Sequence, residues 1–180
     1  MSHYNVSASA YIEAGAELVY NILADYRRGH PSILPPQYFQ NIVIEEGGFG
    51  AGTKIRFQMK VFGTIRDFRA EISEPHPGRL LVETDLTSGV VTTFTVSPSG
   101  QEGSSIVKIM TRVPVRSRLL APLERFITSR FLHKVYREEL ALLNASVTGR
   151  YNVDLSAYET RVVPDRQHGG GSGWQHPAHS

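Results

Sequence analysis

The chain has 180 residues, 41% of them hydrophobic and 20% charged, with a formal net charge of +2. This length allows a sizeable buried core but is too short for two full-sized domains. The absence of cysteine excludes disulfides, thiolate metal sites and a cysteine nucleophile. No apolar run approaches the roughly 20 residues of a membrane span, and no signal peptide is evident. We therefore expect a cytoplasmic globular protein.

Composition divides the chain into three segments. Residues 1–147 carry regular apolar periodicity and form the predicted folded domain. Residues 148–164 are interpreted as a loosely docked extension. Residues 165–180 are rich in glycine and histidine and are predicted to be a disordered tail, because such a segment buries too little surface to offset its ordering entropy. The seven histidines of the chain are scattered, so we expect no metal site and no cofactor.

The N-terminal residues predict a strand followed by two short helices. Apolar and polar residues alternate over residues 6–12, as in a β-strand, and Gly15 ends the alternation. In AELVYNILADY, residues 16–26, apolar side chains recur at helical spacing. A short helical turn is predicted at residues 30–34, where two prolines end it.

A run of short strands follows. Glycine- and proline-rich turn signals separate six stretches rich in β-branched and aromatic residues: QNIVIEE, TKIRFQMKVF, TIRDFRAEIS, RLLVETDL, VVTTFTVS and SIVKIMTRV. Short strands at regular spacing predict an antiparallel meander. In the second stretch Ile55, Phe57, Met59 and Val61 share one face, which indicates a sheet that is covered on one side and wet on the other.

A long C-terminal helix is predicted to cover that sheet. Residues 116–146 contain no glycine and one proline, Pro122. Apolar residues recur there at steps of three and four, with a weak step at Glu138 and Glu139; they are Leu120, Leu123, Ile127, Phe131, Val135 and Leu142. The predicted fold class is α+β: a seven-stranded curved antiparallel sheet around a long C-terminal helix, with two short helices between strands 1 and 2.

This order of elements resembles the START-like, helix-grip (SRPBCC) superfamily, in its polyketide cyclase/dehydrase-like branch. Ile12-Glu13-Ala14 at the end of the first strand, and Val19-Tyr20 and Asp25-Tyr26 in the first helix, are similar to the opening of that branch, although Tyr20 stands where a tryptophan is usual. GAGTKIRFQMK, TTFTVSP with GSSIVKI, and YREELALLN are similar to its third strand, penultimate hairpin and last helical turns. The resemblance covers roughly residues 4–147.

The resemblance implies a cavity between sheet and C-terminal helix that holds a lipid, an aromatic molecule or a polyketide. Members of the superfamily include aromatase/cyclases, lipid and sterol carriers and hormone receptors. The fold alone therefore does not show whether a member is an enzyme. We expect binding or transport of a small hydrophobic ligand; the alternative is a polyketide aromatase/cyclase or dehydratase that uses the same cavity. Oligomeric state is left open.

Arg66 is the most informative candidate for ligand contact. Alternate residues of a strand share a face, so Arg66 lies on the same face as Phe68, Ala70 and Ile72, which is predicted to point inward. An isolated charge is costly there. One interpretation is that its guanidinium meets a carboxylate, phenolate or carbonyl of a ligand. The others are an internal ion pair, or an edge position that reaches solvent.

The remaining candidates are aromatic or hydroxyl-bearing side chains. Such residues suit a mostly apolar pocket with few polar groups, but they suit a dry core equally well. The candidates that would donate a hydrogen bond are Tyr20, Tyr26, Tyr38, Thr92 and Thr111. The candidates that would line a cavity or a core are Phe57, Met59, Phe68, Phe94 and Phe126.

Several other patterns carry weaker signals. GGFGAG, residues 47–52, is interpreted as a hairpin turn, because a dinucleotide loop requires a helix after the glycines and a strand is predicted there. His30 and His133 would titrate near neutral pH, but sequence spacing places no carboxylate to orient either ring. No acid/base pair is identified, so catalysis is left open.

Positive charge is concentrated in residues 112–137, which hold seven Lys or Arg and one Glu. A solvated helix face explains this arrangement. Transient contact with an anionic membrane is the alternative. The segment shows no recognisable nucleic-acid-binding motif, so we expect no nucleic-acid partner.

Overall fold

The structure is a computed structural model that describes residues 2–115 and 121–150. Its elements are β1 (His3–Ile12), α1 (Ala16–Ala24), α2 (Gly29–Ile33), β2 (Phe39–Glu46), β3 (Lys54–Val61), β4 (Thr64–His76), β5 (Leu80–Asp85), β6 (Val91–Pro98), β7 (Ser105–Pro114) and α3 (Ala121–Val147). The predicted tail and nearly all of the predicted extension lie outside the described residues.

The seven strands form one antiparallel sheet in the order β1-β7-β6-β5-β4-β3-β2. Strands β2 to β7 are a meander of sequential neighbours, and β1 pairs with β7 at the far edge. The two short helices α1 and α2 therefore connect strands at opposite edges of the sheet. This arrangement, with the long helix α3 at the C-terminus, confirms the predicted fold class.

One face of the sheet is buried because apolar residues alternate along each strand. Leu81 of β5, Phe94 of β6 and Ile109 of β7 are each at most 2% exposed. On the helical side Leu23 of α1 and Leu143 of α3 are each 1% exposed. Each such side chain contributes about 1.5–3 kcal/mol through its burial, so the core lies between the sheet, α1 and the second half of α3.

The first half of α3 differs from the prediction. Val135 is buried, and Phe131 and Leu142 are partly buried as expected, but Leu123 is 58% exposed and Ile127 41% exposed. The reason is that the inward side of these turns carries Glu124, Thr128 and Phe131, whereas Leu123 and Ile127 lie outside the cavity lining. Leu120 lies outside the described residues.

The glycine-rich segment 47–52 connects β2 to β3, in agreement with its interpretation as a turn, and β3 follows it. It also holds the end of α1, because the Tyr26 amide donates to the Gly48 carbonyl at 3.1 Å and the Gly50 amide to the Ala24 carbonyl at 2.9 Å. Gly50 has φ +59°, and a Cβ there would lie 2.2 Å from a carboxylate oxygen of Glu74. Position 50 therefore requires glycine on two grounds.

Gly50→Ala is expected to destabilise the protein more than Gly52→Ala. Both glycines have positive φ, +59° and +81°, but a methyl group added at position 52 would have no other atom within 4 Å. Gly52→Ala measures backbone strain alone, about 1–2 kcal/mol. Gly50→Ala also displaces Glu74 from its bonds to the Tyr20 hydroxyl and the Ala51 amide, an additional loss of about 1–3 kcal/mol. Urea unfolding of the two variants measures the difference, and equal losses would contradict the steric argument.

Candidate ligand-binding cavity

A cavity of about 380 Å³ lies between the sheet and α3. Its walls come from the inner faces of β2 to β7, from α2, and from the side of α3 that runs from Glu124 to Glu139. Phe62, in the turn between β3 and β4, is 56% exposed and lines the cavity, so this turn lies at its mouth. The volume falls within the range of small-molecule sites in proteins.

Aromatic and aliphatic side chains form most of the wall. The rings of Phe57 and Phe68 stack with their centroids 5.3 Å apart, and Phe39 packs against Phe57 at 5.9 Å. Ile55 and Met59 continue the same surface along β3. Flat apolar surfaces of this kind favour a planar hydrophobic guest.

A cluster of polar side chains lies at the inner end of the cavity, where Tyr26 and His30 approach Glu83 of β5. The rings of Tyr26 and His30 stack at 4.6 Å, and the Tyr26 hydroxyl donates to Glu83 Oε1 at 2.6 Å. Burial and the Glu83 carboxylate both raise the pKa of Tyr26. The phenol therefore keeps its proton and acts as a donor to Glu83.

The hydrogen bonds of His30 define where its proton lies. Nδ1 lies 2.7 Å from the Leu23 carbonyl oxygen, which only accepts, so Nδ1 carries a hydrogen. Nε2 then faces Glu83 Oε1 at 3.5 Å. The imidazole and the carboxyl group are therefore adjacent on the cavity wall. Groups of these two kinds are the ones that most often transfer protons in enzyme sites.

Glu139 of α3 also faces the cavity and is 3% exposed. Its Oε1 has no hydrogen-bond partner among the residues that the structure describes. Burial, and next the negative charge of Glu83, raise the pKa of Glu139 well above its ordinary value of 4.5. The acid form is thereby favoured, because two neighbouring carboxyl groups resist ionising together.

Hydroxyl groups form a short chain beside these carboxyl groups. Thr92 Oγ1 and Thr111 Oγ1 lie 2.8 Å apart, and Thr111 also hydrogen-bonds with the Tyr136 hydroxyl. All three residues line the cavity. The chain satisfies these hydroxyls with one another, so it is a polar strip on an otherwise apolar wall.

Asp85 lines the cavity as well, but its carboxylate is occupied by the turn that follows β5. It accepts from the Ser88 amide at 2.9 Å, from the Ser88 hydroxyl, and more weakly from the Thr87 amide at 3.4 Å. Its role is to hold the β5–β6 turn, as aspartate does in many turns.

The structure brings together most of the residues proposed for ligand contact. Those that line the cavity are Tyr26, Phe57, Met59, Arg66, Phe68, Thr92, Thr111 and Phe94. Tyr20, Tyr38 and Phe126 are not among the lining residues. The Tyr20 hydroxyl donates to Glu74 at 2.6 Å, the Tyr38 ring packs on Phe131 at 5.5 Å, and Phe126 is 61% exposed. Ligand contact by the lining residues stays a prediction.

Arg66 is exposed on β4 and lines the cavity, opposite Met59 of β3. Among residues 2–115 and 121–150, no carboxylate forms an ion pair with its guanidinium. Its charge is therefore available at the mouth, to a ligand or to solvent.

Sequence reasoning missed the carboxyl groups of the site. Spacing placed no carboxylate beside His30, whereas the structure places Glu83 there. Two signals were present: Leu81, Glu83 and Asp85 alternate onto the inner face of β5, and the weak apolar step of the long helix falls at Glu139. Inward acidic residues resemble solvent-facing positions in a single sequence, because charged residues are mostly exposed.

Tyr26→Phe is expected to lower the free energy of unfolding by about 1–3 kcal/mol, because it removes a buried bond to a carboxylate. Tyr11→Phe is the matched control: Tyr11 is 47% exposed and donates to Gln101 at 3.0 Å. Its loss is expected to stay below about 0.5 kcal/mol. Urea denaturation measures both, and similar values for the two variants would contradict a structural role for the Tyr26–Glu83 bond.

Two absences hold for the described part of the chain. Within it, no group of three or more His, Asp or Glu side chains is placed to hold a metal ion. No helix there combines the length and the apolar character needed to cross a bilayer.

Comparison with known proteins rests on solved structures. No protein-family model matches the sequence, and no curated protein matches it. The KanY protein is 25% identical with a TM-score of 0.71, covering 83% of this chain and 100% of that one. The Zhui aromatase/cyclase from Streptomyces sp. R1128 is 16% identical with a TM-score of 0.66, covering 83% and 96%. A START superfamily protein from Mycobacterium smegmatis is 16% identical with a TM-score of 0.65, covering 83% and 99%.

These likenesses identify the fold. The chain has the START-like helix-grip (SRPBCC) fold, a seven-stranded antiparallel sheet with a long C-terminal helix over it, as the resemblance of its motifs implied. Its structural neighbours include an aromatase/cyclase, which is a likeness of fold and does not by itself assign a reaction.

Proposed function

We propose that this protein binds a small hydrophobic molecule with a planar or aromatic body in the cavity between sheet and α3. The observation that carries the proposal is the cavity of about 380 Å³ walled by stacked phenylalanines. Each 100 Å² of apolar ligand surface buried there contributes about 2.5 kcal/mol. Lipid and polyketide-like ligands belong to the same broad class, and transport of such a ligand is an extension of its binding.

Native mass spectrometry of freshly purified protein, with titration by the neutral dye Nile red, tests the proposal. We expect a co-purified small molecule, or saturable dye binding with enhanced emission at one site per chain. Protein that carries no ligand and binds no dye would contradict it. Heat-denatured protein is the control for adsorption of dye to exposed apolar surface.

A second candidate function is that of a polyketide aromatase/cyclase or dehydratase, supported by the protonatable groups at the inner end of the cavity. The His30–Glu83 pair is suited to remove a proton from a carbon next to a carbonyl group, and the acid form of Glu139 to protonate a departing hydroxyl. The shape of the cavity would hold a poly-β-keto chain folded.

Incubation with a synthetic poly-β-keto thioester tests the second candidate. Mass spectrometry is expected to detect cyclised product that has lost water, and His30→Gln is expected to slow its formation by about a hundredfold or more. Equal rates for wild type, His30→Gln and buffer alone would rule out this chemistry.

The basic segment 112–137 supports a further part of the proposal, transient contact with an anionic membrane near the mouth. Exposed Phe126 lies under the guanidinium of Arg130 at 5.8 Å, next to exposed Leu123. Apolar and cationic side chains on one helix surface favour anionic bilayers. Co-sedimentation with phosphatidylserine vesicles, but not with phosphatidylcholine vesicles, is expected, and Phe126→Ser is expected to weaken it. Equal recovery with both vesicles would refute this contact.

A further inference from the structure

A buried carboxyl oxygen in the cavity lacks a hydrogen-bond donor. Glu139 is only 3% exposed, and its Oε1 has no hydrogen-bond partner among the described residues. Leaving a buried acceptor unpaired is costly, so such groups are uncommon in folded proteins and call for an explanation. The side chain lines the cavity, where a bound molecule would be able to supply the missing donor.

The neighbouring donors are already engaged. The Tyr26 hydroxyl donates to Glu83, and His30 Nδ1 bonds with the Leu23 carbonyl. The Tyr136 hydroxyl is bonded with Thr111. Once Glu139 has also lost its own proton, the inner end of the cavity presents more acceptors than free donors.

The charged groups at the inner end of the cavity also favour a positively charged ligand group. Glu83 and Glu139 both line it, and the negative charge of Glu83 opposes ionisation of Glu139. Arg66 lies on the exposed part of the wall, and the basic group beside Glu83 is His30, with Nε2 3.5 Å from Glu83 Oε1. Among the described residues, Glu139 forms no ion pair. A cation placed beside both carboxyl groups would allow both to ionise.

We infer that the inner end of the cavity is a binding site for a protonated amine, held by Glu139 and Glu83, on a ligand whose apolar body lies against Phe57 and Phe68. An ammonium group offers three donors and no acceptor, which is the complement of this wall. The inference rests on the proposed function, because the apolar cavity supplies the site for the rest of the ligand. A ligand carbonyl that accepts from the acid form of Glu139 is the competing arrangement.

Three probes with one aromatic body test the inference: naphthylethylamine, ethylnaphthalene and acetylnaphthalene. Their dissociation constants are measured by titration calorimetry near neutral pH. The amine is expected to bind about tenfold or more tightly than ethylnaphthalene, as for hydrogen bonds to charged groups. Because the pKa of Glu139 is raised by burial and by Glu83, binding of the ammonium is expected to release a proton. The binding enthalpy of the amine then depends on the ionisation enthalpy of the buffer, and that of ethylnaphthalene does not.

Glu139→Gln is expected to remove most of the preference for the amine over ethylnaphthalene. Glu138→Gln is the matched control, because Glu138 is the adjacent carboxyl group on α3 and lies outside the cavity lining. Its preference for the amine is expected to match that of the wild type. The comparison of probes on the wild-type protein stands even where the Glu139 variant fails to fold.

The outcomes separate the two proposals. If neither Nile red nor any of the naphthalenes binds, the proposed function is wrong and the amine site falls with it. If ethylnaphthalene binds as tightly as the amine, the cavity binds hydrophobic ligands and the amine site is overturned. Preference for acetylnaphthalene over the amine also overturns it, in favour of carbonyl recognition.

Discussion

Raising the pH from about 4.5 is expected to lower the stability of the wild-type protein relative to a Glu139→Gln variant. The pKa of Glu139 is raised well above 4.5 in the folded protein, by burial and then by Glu83. In the unfolded chain the carboxyl group ionises near its ordinary pKa, so above that pH the unfolded state binds fewer protons than the folded state. Stability then falls with pH, by up to about 1.4 kcal/mol per pH unit, until the folded pKa is reached.

The measurement is the difference in free energy of unfolding between the two proteins, from urea denaturation at a series of pH values. We expect the difference to grow in favour of Glu139→Gln as the pH rises from about 4.5. Glu138→Gln is the control for the loss of one negative charge from the same helix; Glu138 bonds with exposed Gln37. A difference that stays constant with pH would show that Glu139 is ionised in the folded protein.

Ala70→Leu is expected to weaken binding of any hydrophobic ligand by about ten- to seventyfold. Ala70 is 3% exposed on the inner face of β4 and lines the cavity, so a longer side chain occupies space that a ligand would fill. A ligand that loses about 60–100 Å² of apolar contact loses about 1.5–2.5 kcal/mol. Nile red titration measures the change.

Ala141→Leu is the matched control for Ala70→Leu, because Ala141 is exposed on α3 and outside the cavity lining. Its dissociation constant is expected to equal that of the wild type. Both variants are expected to unfold at urea concentrations close to the wild-type midpoint, since Ala70→Leu fills existing space. Unchanged dye binding by Ala70→Leu, with normal stability, would show that ligands bind elsewhere.

The fold was predictable because the patterns that specify its strands and turns lie within short stretches of sequence. Ile55, Met59 and Val61 alternate with polar residues along β3, and glycines separate the strands at regular intervals. These patterns follow from the two-residue period of a strand and from turn chemistry. The order of elements then left few arrangements to consider.

The site was only partly predictable, because a cavity is space without atoms and leaves no residue pattern of its own. Phe57 and Phe68 follow from strand alternation, whether they line a cavity or a core. Phe126 was placed on the inner side of the long helix, but the inward side there is the one that includes Thr128 and Phe131. Glu139 was missed because a buried carboxyl group breaks the apolar pattern on which the prediction depends.

The pairing of β1 with β7 has a consequence for how the chain folds during synthesis. Residues His3 to Ile12 pair with residues Ser105 to Pro114, so the first strand emerges from the ribosome long before its partner. At about 5–20 residues per second, the roughly 90 residues between them take on the order of 5–20 s to translate. Throughout that delay residues His3 to Ile12 lack the strand with which they pair in the folded domain, and unpaired strand segments are prone to associate with other chains. The domain therefore closes only when nearly all of it has been made, and its assembly is completed after translation of β7.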